Sequence, residues 1–419
     1  MKLGRVKQYY LKNRLIYNCI LLLCLFFVNC FWANAIYVVY PILSLLVLID
    51  SLQNGFSYII FTIPFCLLKP HLSVVLYFAC ILAYIIKLCI VVFGKQKLRI
   101  TKTILIFWGI FAVYCLLPFA NYNLNLLIKI CLLLFVFTAI LFIGKRSEIF
   151  RIEFNTYLLA VSICFSVLFS LTYYISPYME SLLHGGHMGA GTRYQGLYDN
   201  PNVLAMLCEF LLPLLCYFVM SRKSKWYDLV LIALVAIIGC LTVSKTYYII
   251  LTVVLLSLFL WKVFKSPKKT LIITAIVLLG IGIFAIFRTE AFVRIWSRFF
   301  GQFGECETFK DFMNMVTTDR YNLWIEYINY MVKAGPFRLF FGFGLGADPI
   351  STFSAHNAYL SMFYQLGIVG TALFISIIVL IFIHLKKTGC LKVGKAIWLP
   401  ILVVMLVFLV EDALFYIVI

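Results

Sequence analysis

The number and length of its apolar runs constrain this chain more than any other feature. An apolar run of about 20 residues crosses ~30 Å of hydrocarbon as a helix. Such runs lie near 15–32, 71–93, 103–119, 124–143, 154–176, 201–220, 228–243, 246–264, 270–287, 357–383 and 396–418. Two shorter runs, 36–50 and 56–68, suit a tight hairpin or a partly re-entrant pair. With 64% hydrophobic and 12% charged residues, the chain is predicted to be an all-α, polytopic transmembrane helical bundle of about 11–13 spans.

The basic residues indicate how the bundle is oriented. The net charge of +19 could suggest nucleic acid, but most of the 35 Lys and Arg residues lie in alternate short loops. The positive-inside rule makes those loops cytoplasmic; they are 1–14, 95–102, 145–151, 222–225, 262–269 and 386–395. We therefore expect a multi-pass protein of the cytoplasmic membrane with a cytoplasmic N-terminus, and no nucleic-acid partner.

The same rule divides the rest of the chain. Residues 1–419 are expected to form a single integral membrane domain with two informative extracytoplasmic loops, a large one at 288–355 and a second at 177–200. Ala33-Asn34-Ala35 mimics a signal-peptidase site after the basic start. The apolar run before it is too long for a signal peptide and more spans follow, so no cleavage is expected.

Three patterns that suggest a cofactor or a metal are set aside. Gly342, Gly344 and Gly346 fit a dinucleotide fingerprint, but no βαβ unit surrounds them, so we interpret them as a flexible turn that lets the backbone pack closely. His184 and His187 lie among glycines, which predicts a mobile polar loop instead of a metal site. The 14 cysteines show neither a disulfide framework nor zinc spacing. No cofactor or metal is therefore expected.

Residues 317–336 predict an amphipathic helix of about 16 residues in the large outer loop. Thr317 or Thr318 can cap it, and Gly335-Pro336 ends it. Its polar stripe comprises Asn322, Glu326, Asn329 and Lys333. Arg320 projects to the opposite side, into the sector of Trp324, Tyr327 and Met331. A cation there either extends to a headgroup, pairs with an acid or binds an anionic ligand.

Arginine is common in the segments that emerge outside. Planar guanidinium groups suit phosphate and pyrophosphate, and the other outer arginines are Arg193, Arg288, Arg294, Arg298 and Arg338. His356 lies at the outer end of the helix predicted from about 357. Such a histidine either caps a helix or bonds a carbonyl, or it accepts a proton from a sugar hydroxyl near neutral pH.

These residues resemble those of a known superfamily. His356-Asn357, followed after nine residues by Gly367-Ile368-Val369-Gly370, resembles the H[NSQ]-x9-G-x-x-G pattern of the O-antigen ligase and O-antigen polymerase superfamily. The segment from Arg193 to Asn202 is similar to its R-x-x-G-x-x-x-N-P-N block, and the segment from Asp319 to Trp324 to its second arginine block. The glycines at 342–346 resemble the turn before the family histidine. The resemblance covers roughly residues 190–375.

The resemblance implies a metal-independent glycosyltransferase of the GT-C type at the outer face of the cytoplasmic membrane. Its donor would be a polyprenyl-diphosphate-linked oligosaccharide and its acceptor a glycan, with flippase and chain-length regulator proteins as partners. Arg193, Arg320 and His356 would be catalytic. The substrate-binding residues would be Arg288, Arg294, Arg298, Arg338, Asn357, Asn202 and Lys245. Lys245 stands in Ser244-Lys245, where many members have Ser-Arg.

The acceptor separates two enzymes, since a polymerase uses a second lipid-linked repeat unit and a ligase uses lipid A core. We favour an O-antigen or capsule repeat-unit polymerase, because the Ile, Lys, Asn, Phe and Tyr content is typical of AT-rich genomes that include many without lipopolysaccharide. A lipid-linked glycan transporter would place charges at the bilayer midplane, where the sequence has mainly Lys87 and Lys129. A scaffold would give Arg320 no reason to lie on an apolar arc.

Overall fold

The computed structural model describes most of the helices that the sequence predicts. Its described residues are 2–65, 70–95, 102–115, 152–182, 188–189, 193–198, 200–221, 225–262, 308–317, 320–344, 347, 350 and 355–387, with isolated positions between 268 and 293. Helix dominates these residues, and the one sheet among them is a pair of two-residue antiparallel strands. The predicted all-α class is confirmed.

The helices and strands among the described residues are numbered here along the chain. In chain order they are α1 (Lys2–Asn29), α2 (Ile36–Ile49), α3 (Leu52–Thr62), α4 (Pro70–Lys95), α5 (Lys102–Cys115), α6 (Ile152–Ser170), α7 (Pro177–Leu182), β1 (Met188–Gly189), β2 (Arg193–Tyr194), α8 (Pro201–Ser221), α9 (Trp226–Leu241), α10 (Lys245–Lys262), α11 (Phe309–Thr317), α12 (Arg320–Lys333), α13 (Pro336–Phe341) and α14 (Ala358–Lys387).

Helices that can cross a membrane appear where the apolar runs predict them. Glu153–Tyr174, Pro201–Val219 and Ala358–Leu380 are long and apolar enough by length and composition, and shorter apolar helices accompany them. The paired runs 36–50 and 56–68 form α2 and α3, which pack against each other. The runs 124–143 and 396–418 lie outside the described residues, as does most of 270–287. The total of about 11–13 spans and the GT-C-like arrangement stay predictions.

The chain divides into two compact units, and the first comprises residues 1–98 and 148–204. Within it α2 packs on α3 and α4, and α3 packs on α6. A buried polar network, which we call the Asp50 network, joins α1 to the α2–α3 connection. Asp50 accepts hydrogen bonds from the Tyr58 hydroxyl at 2.6 Å and from the side-chain amide of Asn54 at 3.1 Å. Asn18 donates to the Tyr58 hydroxyl at 2.7 Å, and Arg14 forms a 3.3 Å salt bridge to Asp50.

The second unit comprises residues 99–147 and 205–419. Within it α5 and α13 pack on α14, and α12 contacts α11, α13 and α14. The helix α14 is not continuous, because Gly367 adopts φ 61° and ψ −171°. The break separates residues 358–366, which we call the head segment, from residues 368–387. The predicted single domain of 1–419 and its two extracytoplasmic loops stay predictions.

Candidate active site

The amphipathic helix predicted at 317–336 is present as α12, Arg320–Lys333. The Thr317 hydroxyl accepts a hydrogen bond from the Tyr321 amide at 3.0 Å, as expected of a residue near the helix start. Gly335 has φ 89°, which ends the helix, and Pro336 then begins α13. The sequence did not predict α11, Phe309–Thr317, which directly precedes this helix.

The two faces of α12 lie as its periodicity predicts. Its polar stripe is exposed at every position, Asn322, Glu326, Asn329 and Lys333. On the opposite side Tyr327 and Met331 are buried and form a cluster with Ala355 and Tyr364. The rings of Tyr327 and Tyr364 meet edge to face with centroids 5.2 Å apart. This apolar cluster holds α12 against the start of α14.

One hydrogen bond connects the second arginine block to the histidine. The Trp324 indole Nε1 donates to the carbonyl of Ala355 at 2.9 Å, and Ala355 directly precedes His356. Arg320 lies one helical turn before Trp324, so both side chains leave the same face of α12. Arg320 is half-buried there. The Trp324 contact therefore brings the turn that carries Arg320 to the backbone of His356.

His356 has an unusual backbone conformation. Its φ is 46°, in the left-handed region that few residues other than glycine adopt, and its side chain is half-buried. Such strain persists where the surroundings enforce it, and it is common at functional sites. Ala355 before it is fixed by Trp324, and Asn357 after it is fixed as described next. No pattern in the sequence predicted this conformation.

Asn357, predicted to bind substrate, has a structural contact. Its side-chain oxygen accepts a hydrogen bond from the Leu360 amide at 3.0 Å, and its carbonyl accepts one from the Ser361 amide at 2.8 Å. Asn357 is thus the N-cap of the head segment. The capping role gives a physical reason for the family pattern at this position, because serine is also a good cap.

The glycine turn that follows α13 runs along the end of the head segment. Gly342 and Gly344 have positive φ values of 72° and 101°. The Phe343 amide donates to the Tyr364 carbonyl at 3.0 Å, and the Gly344 amide donates to the Gln365 carbonyl at 2.9 Å. This turn was predicted to be flexible and to let the backbone pack closely, and its backbone lies against α14 and is bonded to it. Gly346 lies outside the described residues.

Arg338 of α13 lies at the same end of the head segment as the glycine turn. Its guanidinium carbon is 5.3 Å from the centre of the Phe343 ring, and Nη1 is 3.4 Å from the Gly342 carbonyl. Phe343 in turn stacks on Tyr364, whose ring centroid is 4.7 Å away. Tyr364 is eight positions after His356, whereas the turn that carries Arg320 lies next to Ala355. Arg338 therefore lies near the C-terminal end of the head segment.

Arg193 and Asn202, which belong to the first unit, are in direct contact. Arg193 Nη2 donates to the Asn202 side-chain oxygen at 2.5 Å. The Asn200 side chain accepts from the Asn202 amide at 2.9 Å, and Pro201 begins α8. Gly196, with φ 65°, turns the chain between these residues. The spacing of this block therefore serves to fix Arg193 against the start of α8.

Tyr194, the neighbour of Arg193, anchors the same block. Its hydroxyl donates to the Val167 carbonyl at 3.0 Å and lies 2.5 Å from the Ser170 hydroxyl. Burial raises the pKa of Tyr194 to about 12, against a smaller lowering by the Ser170 hydrogen bond. The phenol therefore keeps its proton at physiological pH, and its bond to Val167 is present throughout that range.

Lys245 is the first residue of α10 and is half-buried. It follows a strained turn, because Val243 has φ 51°, which is costly for a β-branched residue. The Ser244 carbonyl accepts a hydrogen bond from the Tyr248 amide at 3.2 Å. The turn fixes where Lys245 leaves the backbone, and a role for this residue in binding substrate stays a prediction.

The remaining predicted residues are not tested by these contacts. Arg288, Arg294 and Arg298 lie outside the described residues, together with His184 and His187. Arg193 belongs to the first unit, while Arg320 and His356 belong to the second. The convergence of these three residues around one cavity is therefore still a prediction.

The apolar helices define a class of protein, an all-α membrane protein. Its strained histidine, His356, lies directly before a broken helix, α14. Residues 229–375 match the O-antigen ligase family, which confirms the resemblance and identifies this segment as a member of the O-antigen ligase and polymerase superfamily. No curated protein and no solved structure matches the chain. The matched segment contains Lys245, Arg320, Arg338 and His356; Arg193 and Asn202 precede it.

The family match supports a coarse description of the activity. Its members are glycosyltransferase-like enzymes, ligases or polymerases, that use lipid-linked glycans in a membrane. The match and the apolar helices together support a membrane protein and a place in polysaccharide biosynthesis.

Proposed function

We propose that the protein is a polysaccharide polymerase that joins polyprenyl-diphosphate-linked repeat units of an O-antigen or capsule at the outer face of the cytoplasmic membrane. The observation that supports this most is the hydrogen bond from Trp324 to the Ala355 carbonyl. It joins Trp324, one helical turn after Arg320, to the residue before His356. We propose that Arg320 and His356 act at one site, because a permanent cation and an imidazole suit a reaction in which a diphosphate leaves and a hydroxyl loses a proton.

The reaction is a single displacement at the anomeric carbon of the donor. A hydroxyl oxygen of the acceptor glycan forms the new bond to that carbon, and the bond from the carbon to the diphosphate oxygen breaks. His356 accepts the hydroxyl proton, and polyprenyl diphosphate leaves with the bonding electrons. One displacement inverts the configuration at the anomeric carbon.

The arginines have a separate task in this scheme. Arg320 binds the diphosphate through two parallel N–H bonds and stabilises the charge that develops as it leaves. Arg193, held by Asn202, contributes a second cation, and Lys245 and the arginines at 288, 294, 298 and 338 guide the anionic donor. Because guanidinium groups carry this charge, the reaction requires no metal ion.

An O-antigen ligase is the second candidate, because the family that matches is described as O-antigen ligase. The ligase would carry out the same displacement with lipid A core as the acceptor. The two enzymes therefore differ in the product, not in the roles of Arg320 and His356. A transporter is disfavoured because the sequence predicts most charged residues at the membrane boundary, whereas a transporter would place them near the bilayer midplane.

The experiment is reconstitution of the full chain in proteoliposomes with lipid-linked glycans extracted from the source membranes. A polymerase gives a ladder of longer glycans on polyprenyl diphosphate, with release of free polyprenyl diphosphate, and EDTA leaves the rate unchanged. A product that forms only when lipid A core is added identifies the ligase. If neither product forms while glycan crosses the bilayer, the enzyme assignment is wrong.

The proposed orientation has its own test. In intact cells, and in a variant without the 14 native cysteines, single cysteines placed in residues 300–350 should react with a membrane-impermeant maleimide, and cysteines in 222–225 should react only after lysis. The reverse pattern would contradict both the orientation and the proposal that the reaction takes place outside.

A further inference from the structure

The break at Gly367 leaves backbone groups that must find new partners. In an unbroken helix the Leu366 carbonyl would accept from the Gly370 amide four residues later. The last carbonyls of the head segment have no partner within their own helix once it ends. In a membrane helix such groups are costly unless protein satisfies them. Groups outside α14 must therefore hold this break.

Three groups from outside α14 bind the last three carbonyls of the head segment. The Phe343 amide binds the Tyr364 carbonyl and the Gly344 amide binds the Gln365 carbonyl, as described above. The Tyr114 hydroxyl, on α5, binds the Leu366 carbonyl at 2.6 Å. Two of these donors come from the glycine turn, and the third comes from a helix far away in sequence.

Tyr114 occupies the place of the lost helical bond. Besides the Leu366 carbonyl, its hydroxyl oxygen is hydrogen-bonded by the Gly370 backbone amide. Leu366 and Gly370 are the pair that an unbroken helix would join directly, so the hydroxyl is inserted between them. Insertion of a side chain into this ladder is an established cause of a helix kink. The same hydroxyl lies 2.8 Å from the Phe341 carbonyl, at the end of α13.

Three glycines allow this arrangement. A Cβ atom on Gly370 would overlap the Tyr114 ring. A Cβ atom on Gly342 would overlap the backbone of Gln365 and Gly367, and one on Gly367 would overlap the backbone of Phe340 and Gly342. Gly367 and Gly370 are the two glycines of the family pattern after His356. Their spacing is therefore explained by the break itself and by the ring that fills it.

We infer that Tyr114 is a positioning residue for the proposed reaction. Its hydroxyl holds the break open, and so it sets the direction in which the head segment carries His356 towards the turn of Arg320. The inference rests on the proposed function. It adds a residue that lies outside the matched segment 229–375 and in none of the motifs that resemble the family.

The test compares Tyr114→Phe with Tyr248→Phe in proteoliposomes. Tyr248 is a matched control, because its hydroxyl also donates to a backbone carbonyl, that of Cys240 at 3.0 Å, between α9 and α10. Hydrogen–deuterium exchange is measured on the peptide that covers 366–371. Steady-state elongation is measured with the extracted lipid-linked glycans.

For Tyr114→Phe we expect exchange in 366–371 to become roughly 5- to 10-fold faster, as one hydrogen bond is lost. We expect kcat to fall about 10-fold, with KM for the donor changed less than about 2-fold, because the substitution displaces His356 and leaves the donor-binding site in place. Tyr248→Phe should change neither quantity. Replacing Tyr114 with 4-aminophenylalanine, which keeps a donor at the same position, should restore both.

Unchanged exchange in 366–371, or faster exchange with kcat within about 2-fold of the native value, would overturn the inference. If Tyr114→Phe does not accumulate, a variant with 4-fluorophenylalanine at position 114 is measured in its place. Equal kcat values for the 4-aminophenylalanine and 4-fluorophenylalanine variants would then contradict the inference. Normal elongation by His356→Ala would instead refute the proposed function. The exchange measurement would still decide whether Tyr114 holds the break.

Discussion

The Asp50 network and the surroundings of His356 use hydrogen bonds in different ways. Around Asp50, most bonds join side chain to side chain, among them those from Tyr58 and Asn54 and the salt bridge from Arg14. Around His356, side chains bond to the backbone. The Trp324 indole donates to the carbonyl of Ala355, just before His356, and the Asn357 side chain, just after it, accepts from the Leu360 backbone amide. The first arrangement satisfies buried polar groups. The second fixes the direction in which one side chain leaves the chain.

The difference predicts what each region loses on mutation. A side chain in the Asp50 network has buried partners that lose their bonds when it is removed, so the cost appears as stability. The bonds of Trp324 and Asn357 on either side of His356 remain when its side chain is removed. Its removal should therefore leave the fold in place and affect the reaction.

The largest effect is expected for His356→Ala. Elongation should fall ~10²-fold or more, as when a positioned general base is lost, while the melting temperature of the purified protein changes little. Product ladders from proteoliposomes and a thermal unfolding curve measure the two quantities. Normal elongation, or failure of the variant to accumulate, would make this histidine a structural residue and remove the contrast with Asp50.

Asp50→Ala should show the opposite behaviour. We expect the free energy of unfolding to fall by about 2 kcal/mol, less than for a fully buried ion pair because Arg14 is partly exposed. Elongation per folded molecule should stay within about 2-fold. Asn54→Ala, which removes only one bond to the same carboxylate, serves as the milder control. A loss of activity without loss of stability would give Asp50 itself a direct part in the reaction.

Arg320→Lys keeps the charge and tests the geometry. Elongation should fall about 10-fold or more, because an ammonium group cannot form the two parallel bonds of a guanidinium to a diphosphate. Lys333→Arg, on the exposed stripe of the same helix, should have no effect. If the lysine variant is as active as the native protein, the cation acts through charge alone.

The smallest effects are expected at Asn357. Asn357→Ser preserves the cap and should change elongation less than about 2-fold, whereas Asn357→Gln loses the cap and should destabilise the protein by about 1 kcal/mol. Both should be far milder than His356→Ala. Calorimetry and the elongation assay together check this; a 10²-fold loss in Asn357→Ser would indicate direct contact with substrate.

Local patterns predicted the features that depend on neighbours in sequence. The stripe from Asn322 to Lys333 follows helical periodicity, and its exposure is as predicted. The end of α12 at Gly335-Pro336 follows from the backbone preferences of those two residues. The cap at Asn357 could have been predicted in the same way, since an asparagine precedes an apolar run.

The features that fix His356 depend on distant partners and could not be predicted in this way. Trp324 reaches a carbonyl 31 positions away, and the glycine turn at Gly342 is ordered by carbonyls of α14. Tyr114 is 252 positions from Leu366. A tyrosine near the end of an apolar helix gives no sign that its hydroxyl completes another helix. The left-handed φ of His356 follows from such contacts on both sides of it.

The hydroxyl of Tyr114 also bears on how this protein can be recombined with its relatives. The matched segment 229–375 looks like a unit that could be exchanged as a cassette, but one of the groups that complete its broken helix belongs to α5. A chimera that inherits the segment without a donor at position 114 would carry all the family motifs and still lack a partner for the Leu366 carbonyl. The natural boundary for exchange is therefore defined in space, by α5 together with α13 and α14.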